Sequence, residues 1–162
     1  MTDKKTEVVQ SLRDLQASAE QELASLKEFA EAELSIDSRD LDIEATRTPK
    51  LHTRWLDLLS SASVQYKKID SLYKRLYLER WKYYTGTATD KYYVEYGQFN
   101  VKVQKSDIDL YLNADDIIVA AKDLLEMHSQ KVSFCERSLK EISSRTFHIR
   151  AAIDWIKFSS GG

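Results

Sequence analysis

Punctuation is nearly absent from this chain: its 162 residues contain 4 glycines and 1 proline. Sandwiches, barrels and doubly wound sheets reverse direction many times and rely on such residues at their turns. A chain this poor in them is built from a few long helices. The last stretch shows it best, because no glycine or proline interrupts the sequence from Asn113 to Phe158. Within it Ile117, Ala121, Leu124, His128, Cys135, Leu139, Ile142, Ile149, Ile153 and Ile156 recur in a nearly heptad phase, the pattern of a helix that packs along a seam. The spacing predicts a helix capped by Asn113, with Asp115 and Asp116 favourably placed in its first turn. Leu124, Leu139, Ile142, Ile149, Ile153 and Ile156 are the residues expected to hold copies of the chain together.

The remainder reads the same way. Val8, Leu12, Leu15, Ala19, Leu23, Leu26, Ala30 and Leu34 form one narrow apolar stripe on an otherwise acidic helix, which suggests a coiled-coil seam or a loosely docked arm. Residues 1–35 are therefore taken as an arm and 36–162 as the body, joined where Asp37 and Ser38 can cap a brief turn. Thr48-Pro49 is a helix-start signal, since threonine caps free amides and proline at the first position sacrifices no hydrogen bond. That helix is expected to run to Tyr84 and leave through Thr85-Gly86-Thr87. At ~1.5 Å per residue it would be roughly 50 Å long, more than a small core covers, so neighbouring chains are expected to cover the rest. Residues 87–112 lose the helical period, and the alternation of Phe99, Val101, Val103 and then Ile108, Leu110, Leu112 predicts a loop with one or two short strands. The fold expected is mainly all-α.

Little here supports catalysis. The glycines at 86, 97, 161 and 162 match no phosphate-binding fingerprint. Cys135, the single cysteine, sits on the apolar stripe of the last helix as an inert packed thiol, and it excludes an internal disulfide. His52, His128 and His148 lack ligand spacing, and Asp115-Asp116 is better read as capping than as a metal pair, because adjacent side chains on a helix diverge. No catalytic residue, metal site or cofactor is expected. No apolar run is long enough to span a bilayer, and the charged N-terminus is unlike a signal peptide; a soluble intracellular protein is expected.

Charge supplies the functional lead. The net value is −2, yet residues 1–46 sum to −7 and residues 47–162 to +5, so the average conceals a basic body. The concentration is greatest from Tyr66 to Tyr84, where 19 residues hold six cationic and six aromatic side chains against Asp70 and Glu79. On a heptad begun at Tyr66, the cations Lys67, Lys68, Lys74, Arg75 and Lys82 occupy two adjacent positions. Tyr66, Ile69, Leu72, Tyr73, Leu76 and Tyr83 take the opposite side. Trp81 falls on the basic side, where packing does not account for it. Such a ridge can hold phosphates by charge and counterion release while a ring stacks on a splayed base. Arg54, Arg80, Lys91, Lys102 and Lys105 are candidates to extend it. The blander reading is a solvated face over a packed stripe.

A set of short motifs then recurs in order: Ile36-Asp37-Ser38, Arg54-Trp55-Leu56, Tyr83-Tyr84-Thr85-Gly86, Lys105-Ser106 with Leu112-Asn113-Ala114-Asp115, and Phe134-Cys135 followed by Leu139, Ile142, Ser144-Arg145 and Phe147-His148-Ile149. Together, over roughly residues 20 to 158, they resemble the UvsY recombination mediator family of T-even-like phages. The resemblance implies a non-enzymatic protein that binds single-stranded DNA as a ring-shaped helical homo-oligomer of six or seven subunits in the host cytoplasm. It also implies loading of a RecA-like phage recombinase onto DNA coated by the phage single-strand-binding protein. The family's Lys-Ala-Arg-Leu DNA-contacting segment corresponds to Leu78-Glu79-Arg80-Trp81, in which only Arg80 keeps a basic position. The DNA-binding set expected is accordingly Lys67, Lys68, Lys74, Arg75, Arg80, Trp81, Lys82 and Tyr84. The competing expectation is a structural or adaptor coiled-coil oligomer whose acidic arm engages a basic partner and which does not bind DNA.

Overall fold

The computed structural model describes residues 3–161. They form five helices and, among the described residues, no strand: α1 Lys4–Leu34, α2 Leu41–Thr85, α3 Asp90–Tyr96, α4 Ile108–Asn113 and α5 Asp116–Ser159. The chain divides into two compact units, one of Met1–Gln21 with Gln65–Ser129 and one of Glu22–Val64 with Gln130–Gly162.

In the first unit Val9 and Leu12 of α1 share a core with Ile117, Ala120, Ala121 and Leu124 of α5, against which Ile69, Leu72, Tyr73 and Leu76 of α2 pack. Each fully buried aliphatic side chain contributes about 1.5–3 kcal/mol relative to exposure, so Val9 and Leu12 hold the start of α1 in this core. A second small cluster joins Ile108 and Leu112 of α4 to Ile118 of α5 beneath Tyr73, Tyr77 and Tyr84.

The segment 87–112 departs from the strand expectation for a visible reason. Thr89 caps α3 by accepting a hydrogen bond from the Tyr92 amide, and Gly97, at φ 87°, ends it. Ile108, Leu110 and Leu112 alternate like a strand, but Ile108 and Leu112 also stand four apart. The helical period wins, burying those two and leaving Leu110 70% exposed. No neighbouring strand is present among the described residues to satisfy a ladder.

In the second unit Trp55, fully buried, is the centre of a core with Ala30, Leu51, Ala62, Cys135 and Ile142. Its indole lies 6.1 Å from Phe29 in a stacked arrangement and 6.1 Å from Phe134 edge-on. α2 begins at Leu41, eight residues before Pro49, so the proline lies inside the helix. Interior proline forfeits a hydrogen bond and crowds the preceding turn, at a cost of ~3 kcal/mol. What holds the extra turns is Arg145: it donates to the carbonyls of Leu34 (2.7 Å) and Ser35 (3.2 Å), which end α1, and pairs with buried Glu44 in α2. Leu41 is buried beside this anchor in sequence, and Thr48, instead of capping, donates its hydroxyl to the Glu44 carbonyl. Asp37 and Arg39 close a local turn in the connection.

α5 runs close to its expected span, but its cap is Asp115, whose Oδ1 accepts from the amides of Ile117 (3.0 Å) and Ile118 (3.3 Å). Asn113 instead ends α4. Much of the expected seam is already covered within the chain. Leu124, Ile142 and Ile149 are 0, 1 and 3% exposed, and Leu139 packs against the Trp55 core, so these four serve the chain's own interior. Ile153 is half-buried and Ile156 is exposed. The face that α5 leaves open near its end carries Phe147, Trp155 and Phe158, each at least two-thirds exposed.

Candidate nucleic-acid interface

The C-terminal half of α2 lies in the first unit, and its two sides are sharply different. Ile69, Leu72, Tyr73 and Leu76 face the core, so the 3.6-residue period turns Lys67, Lys68, Lys74, Arg75, Trp81 and Lys82 outward, and all six are exposed. Trp81 is 40% and Leu78, in the middle of this face, 52% exposed. Lys74 is tied to Asp70 at 2.6 Å, and that hydrogen bond and charge raise its pKa. Lys67, Lys68, Arg75 and Lys82 have no ion-pair partner among the described residues. Uncompensated cations flanking an exposed indole make a surface for an anionic chain with stackable faces.

Two of the expected contact residues are elsewhere. Arg80 is 3% exposed; its Nε and Nη2 donate to Asp115 Oδ2 at 2.8 and 2.6 Å. Burial by itself disfavours the guanidinium charge, but the hydroxyl of Tyr92 and the carboxylate of Asp115 more than restore it, leaving Arg80 more firmly protonated than a free arginine. Its guanidinium also lies 4.2 Å from the Tyr83 ring centroid. The half-buried Tyr84 donates its hydroxyl to the same Asp115 oxygen at 2.7 Å. Burial, and then the Asp115 hydrogen bond and charge, push that phenol up to about 12. Arg80 and Tyr84 therefore brace the ridge from behind. The sequence held the signal: Arg80 follows Leu76 by four and precedes Tyr83 by three, the spacing of the packed side.

α2 leaves this site by a Schellman turn. The Thr87 and Gly86 amides donate to the Lys82 and Tyr83 carbonyls at 2.9 and 3.4 Å, with Gly86 at φ 75° where a side chain would be strained. Of the other candidate cations, Arg54 belongs to the second unit and pairs with Glu33 at 2.7 Å, and Lys91 lies 4.0 Å from Glu95. Lys102 and Lys105 are exposed.

Among the described residues no three His, Cys, Asp or Glu side chains cluster as a metal site, and no helix is long and apolar enough to cross a membrane. Cys135 is fully buried, and burial raises its thiol pKa, opposite to what a nucleophile needs.

Comparison with known proteins gives a consistent result. Residues 29–162 match the family model described as "Recombination, repair and ssDNA binding protein UvsY". The recombination protein uvsY of Enterobacteria phage T4 is 27% identical over 140 residues, covering 86% of this chain and 98% of that protein. Two crystal structures of the bacteriophage T4 recombination mediator protein UvsY superpose with TM-scores of 0.73 and 0.75, each at 26% identity. They cover 83 and 84% of this chain and 98% of theirs.

Proposed function

The chain belongs to the UvsY family of recombination, repair and single-stranded-DNA-binding proteins, and from that premise we propose that the outward face of α2 is where it holds DNA. The observation that carries the proposal is the row Lys67, Lys68, Arg75 and Lys82, exposed and unpaired among the described residues, with Trp81 on the same face. The cations hold phosphates and Trp81 stacks on a base, so binding is insensitive to sequence and sensitive to salt. Lys74 contributes less, since Asp70 already neutralises it. Arg80 and Tyr84 support this row of cations from behind and are not part of it.

One ridge spans few phosphates, so affinity comes from repetition in a homo-oligomer of six or seven subunits, where each added contact is effectively intramolecular. Ile153 and Ile156, joined by Phe147, Trp155 and Phe158, supply the apolar surface of α5 that a second copy covers. Bound in this way, the protein acts without catalysis in the host cytoplasm, loading a RecA-like phage recombinase onto strands coated by the phage single-strand-binding protein.

The test is fluorescence anisotropy of a labelled oligonucleotide across a salt series. At about 0.7 of logarithmic salt slope per phosphate contact on a single strand, replacing Lys67, Lys68, Arg75 and Lys82 by alanine lowers the slope by roughly 2.8. The far-ultraviolet circular dichroism stays that of the wild type. A folded quadruple variant with undiminished affinity and slope would remove α2 from the interface.

A further inference from the structure

Just beyond the ridge, the exit turn of α2 opens onto a cavity of about 300 Å³ that the ridge does not use. Its volume matches the smaller of ordinary ligand pockets. The wall has two kinds of surface. Tyr84, Phe99, Val103 and Ile108 line it with apolar and aromatic surface, and Lys102 and Lys105 line it with cations. No carboxylate lines it, and neither lysine has an ion-pair partner among the described residues.

The aromatic wall is held in place. The Phe99 ring stands 5.0 Å edge-on to Tyr84, 5.6 Å from Tyr83 and 5.9 Å from Tyr111. Tyr84 is itself fixed through its hydroxyl to Asp115, the carboxylate that neutralises Arg80. A ligand meeting such a wall loses little free energy in ordering it. At Gly86, part of the lining, a Cβ would meet nothing within 4 Å, so the mouth is open there.

We propose that this cavity is a base-binding pocket: one base of a single strand enters against Phe99 and Tyr84, while Lys102 and Lys105 hold phosphates beside it. An apolar slot with unpaired cations and no acid matches a nucleotide unit within a polyanion better than it matches a peptide or a neutral ligand. Lys82 and Trp81 precede Tyr84 on the same helix, so the strand passes from the ridge to the pocket without leaving the first unit. The inference rests on the reading of α2 as a DNA-binding face.

Two labelled probes of equal length separate the two claims: a short oligothymidylate, and a chain with the same phosphates but no bases. With the full chain, Phe99→Leu keeps apolar bulk but loses the aromatic face. It binds oligothymidylate about tenfold more weakly than wild type and binds the abasic chain equally well. Lys102→Ala with Lys105→Ala weakens both probes and lowers the salt slope by roughly 1.4. If Phe99→Leu matches wild type on oligothymidylate, or if the paired lysine variant keeps the wild-type slope, the pocket holds no base while the ridge stands. Wild-type protein that binds neither probe overturns the ridge and the pocket together.

Discussion

Replacing Asp115 by asparagine isolates the charge that joins the back of the ridge to α5. The carboxylate is fully buried and Arg80 opposite it is 3% exposed. Removing one partner of such a pair leaves an uncompensated buried charge, at a cost of about 3–5 kcal/mol. Asparagine still accepts from the Ile117 and Ile118 amides, so the helix cap survives. With the cap kept, however, its NH2 takes the place of Oδ2 and turns a donor toward both the guanidinium and the Tyr84 hydroxyl. Alanine loses the cap as well and should cost about 1 kcal/mol more. Against a stability of about 5–15 kcal/mol for a typical domain, and a urea dependence near 2 kcal/mol per molar, asparagine moves the unfolding midpoint down by about 2 M. The assay is urea unfolding followed by circular dichroism at one fixed protein concentration, because the proposed assembly would also add stability. Arg80→Met combined with Asp115→Asn should be less destabilised than the two single changes summed. A midpoint shift below about 0.3 M for Asp115→Asn would refute the argument, as would additivity in the double variant.

Further expectations follow from the same geometry. Tyr84, with its folded pKa raised above the ordinary value, stabilises the fold fully below about pH 10. That contribution is lost as pH rises toward about 12; Tyr84→Phe should flatten the alkaline fall in stability, read by urea midpoint against pH. Lys74→Ala should weaken DNA binding less than Arg75→Ala, since only Lys74 is already paired with Asp70; equal losses by anisotropy would contradict that ranking. Cys135→Ser buries a hydroxyl in an apolar core and should cost about 1–3 kcal/mol, and the native thiol should react with a thiol reagent only on unfolding. Ile156→Asp with Phe158→Asp should yield smaller species in sedimentation with helicity unchanged, because both residues are exposed within one chain; an unchanged assembly would place its contacts elsewhere.

Much of this protein was legible as one-dimensional pattern. The scarcity of glycine and proline announced long helices, Thr85-Gly86-Thr87 marked the end of α2, and the two-position rhythm of its lysines placed Lys67, Lys68, Lys74, Arg75, Lys82 and Trp81 on a single outward face. Helical period is a local property, so these features need no knowledge of what packs where. The family motifs could be read in the same way.

Tertiary contacts decided the rest. Arg80 and Lys82 are both basic and two residues apart, yet one is buried against Asp115 and the other is exposed; only packing distinguishes an ion pair inside from a contact outside. Pro49 reads as a helix start until Arg145, about a hundred residues later, is seen to anchor Glu44 and the end of α1. Leu124, Ile142 and Ile149 have the phase of a seam, but apolar periodicity states only that a stripe will be covered. Here the covering comes from within the chain, and the apolar side chains left exposed on α5 include Phe147, Trp155 and Phe158, outside the expected stripe. Ile108 and Leu112 fit a strand or a helix equally well, and burial against Ile118 chose the helix. A sequence prescribes which side of each helix seeks cover; the partner that supplies it is set by contacts between residues far apart in the chain.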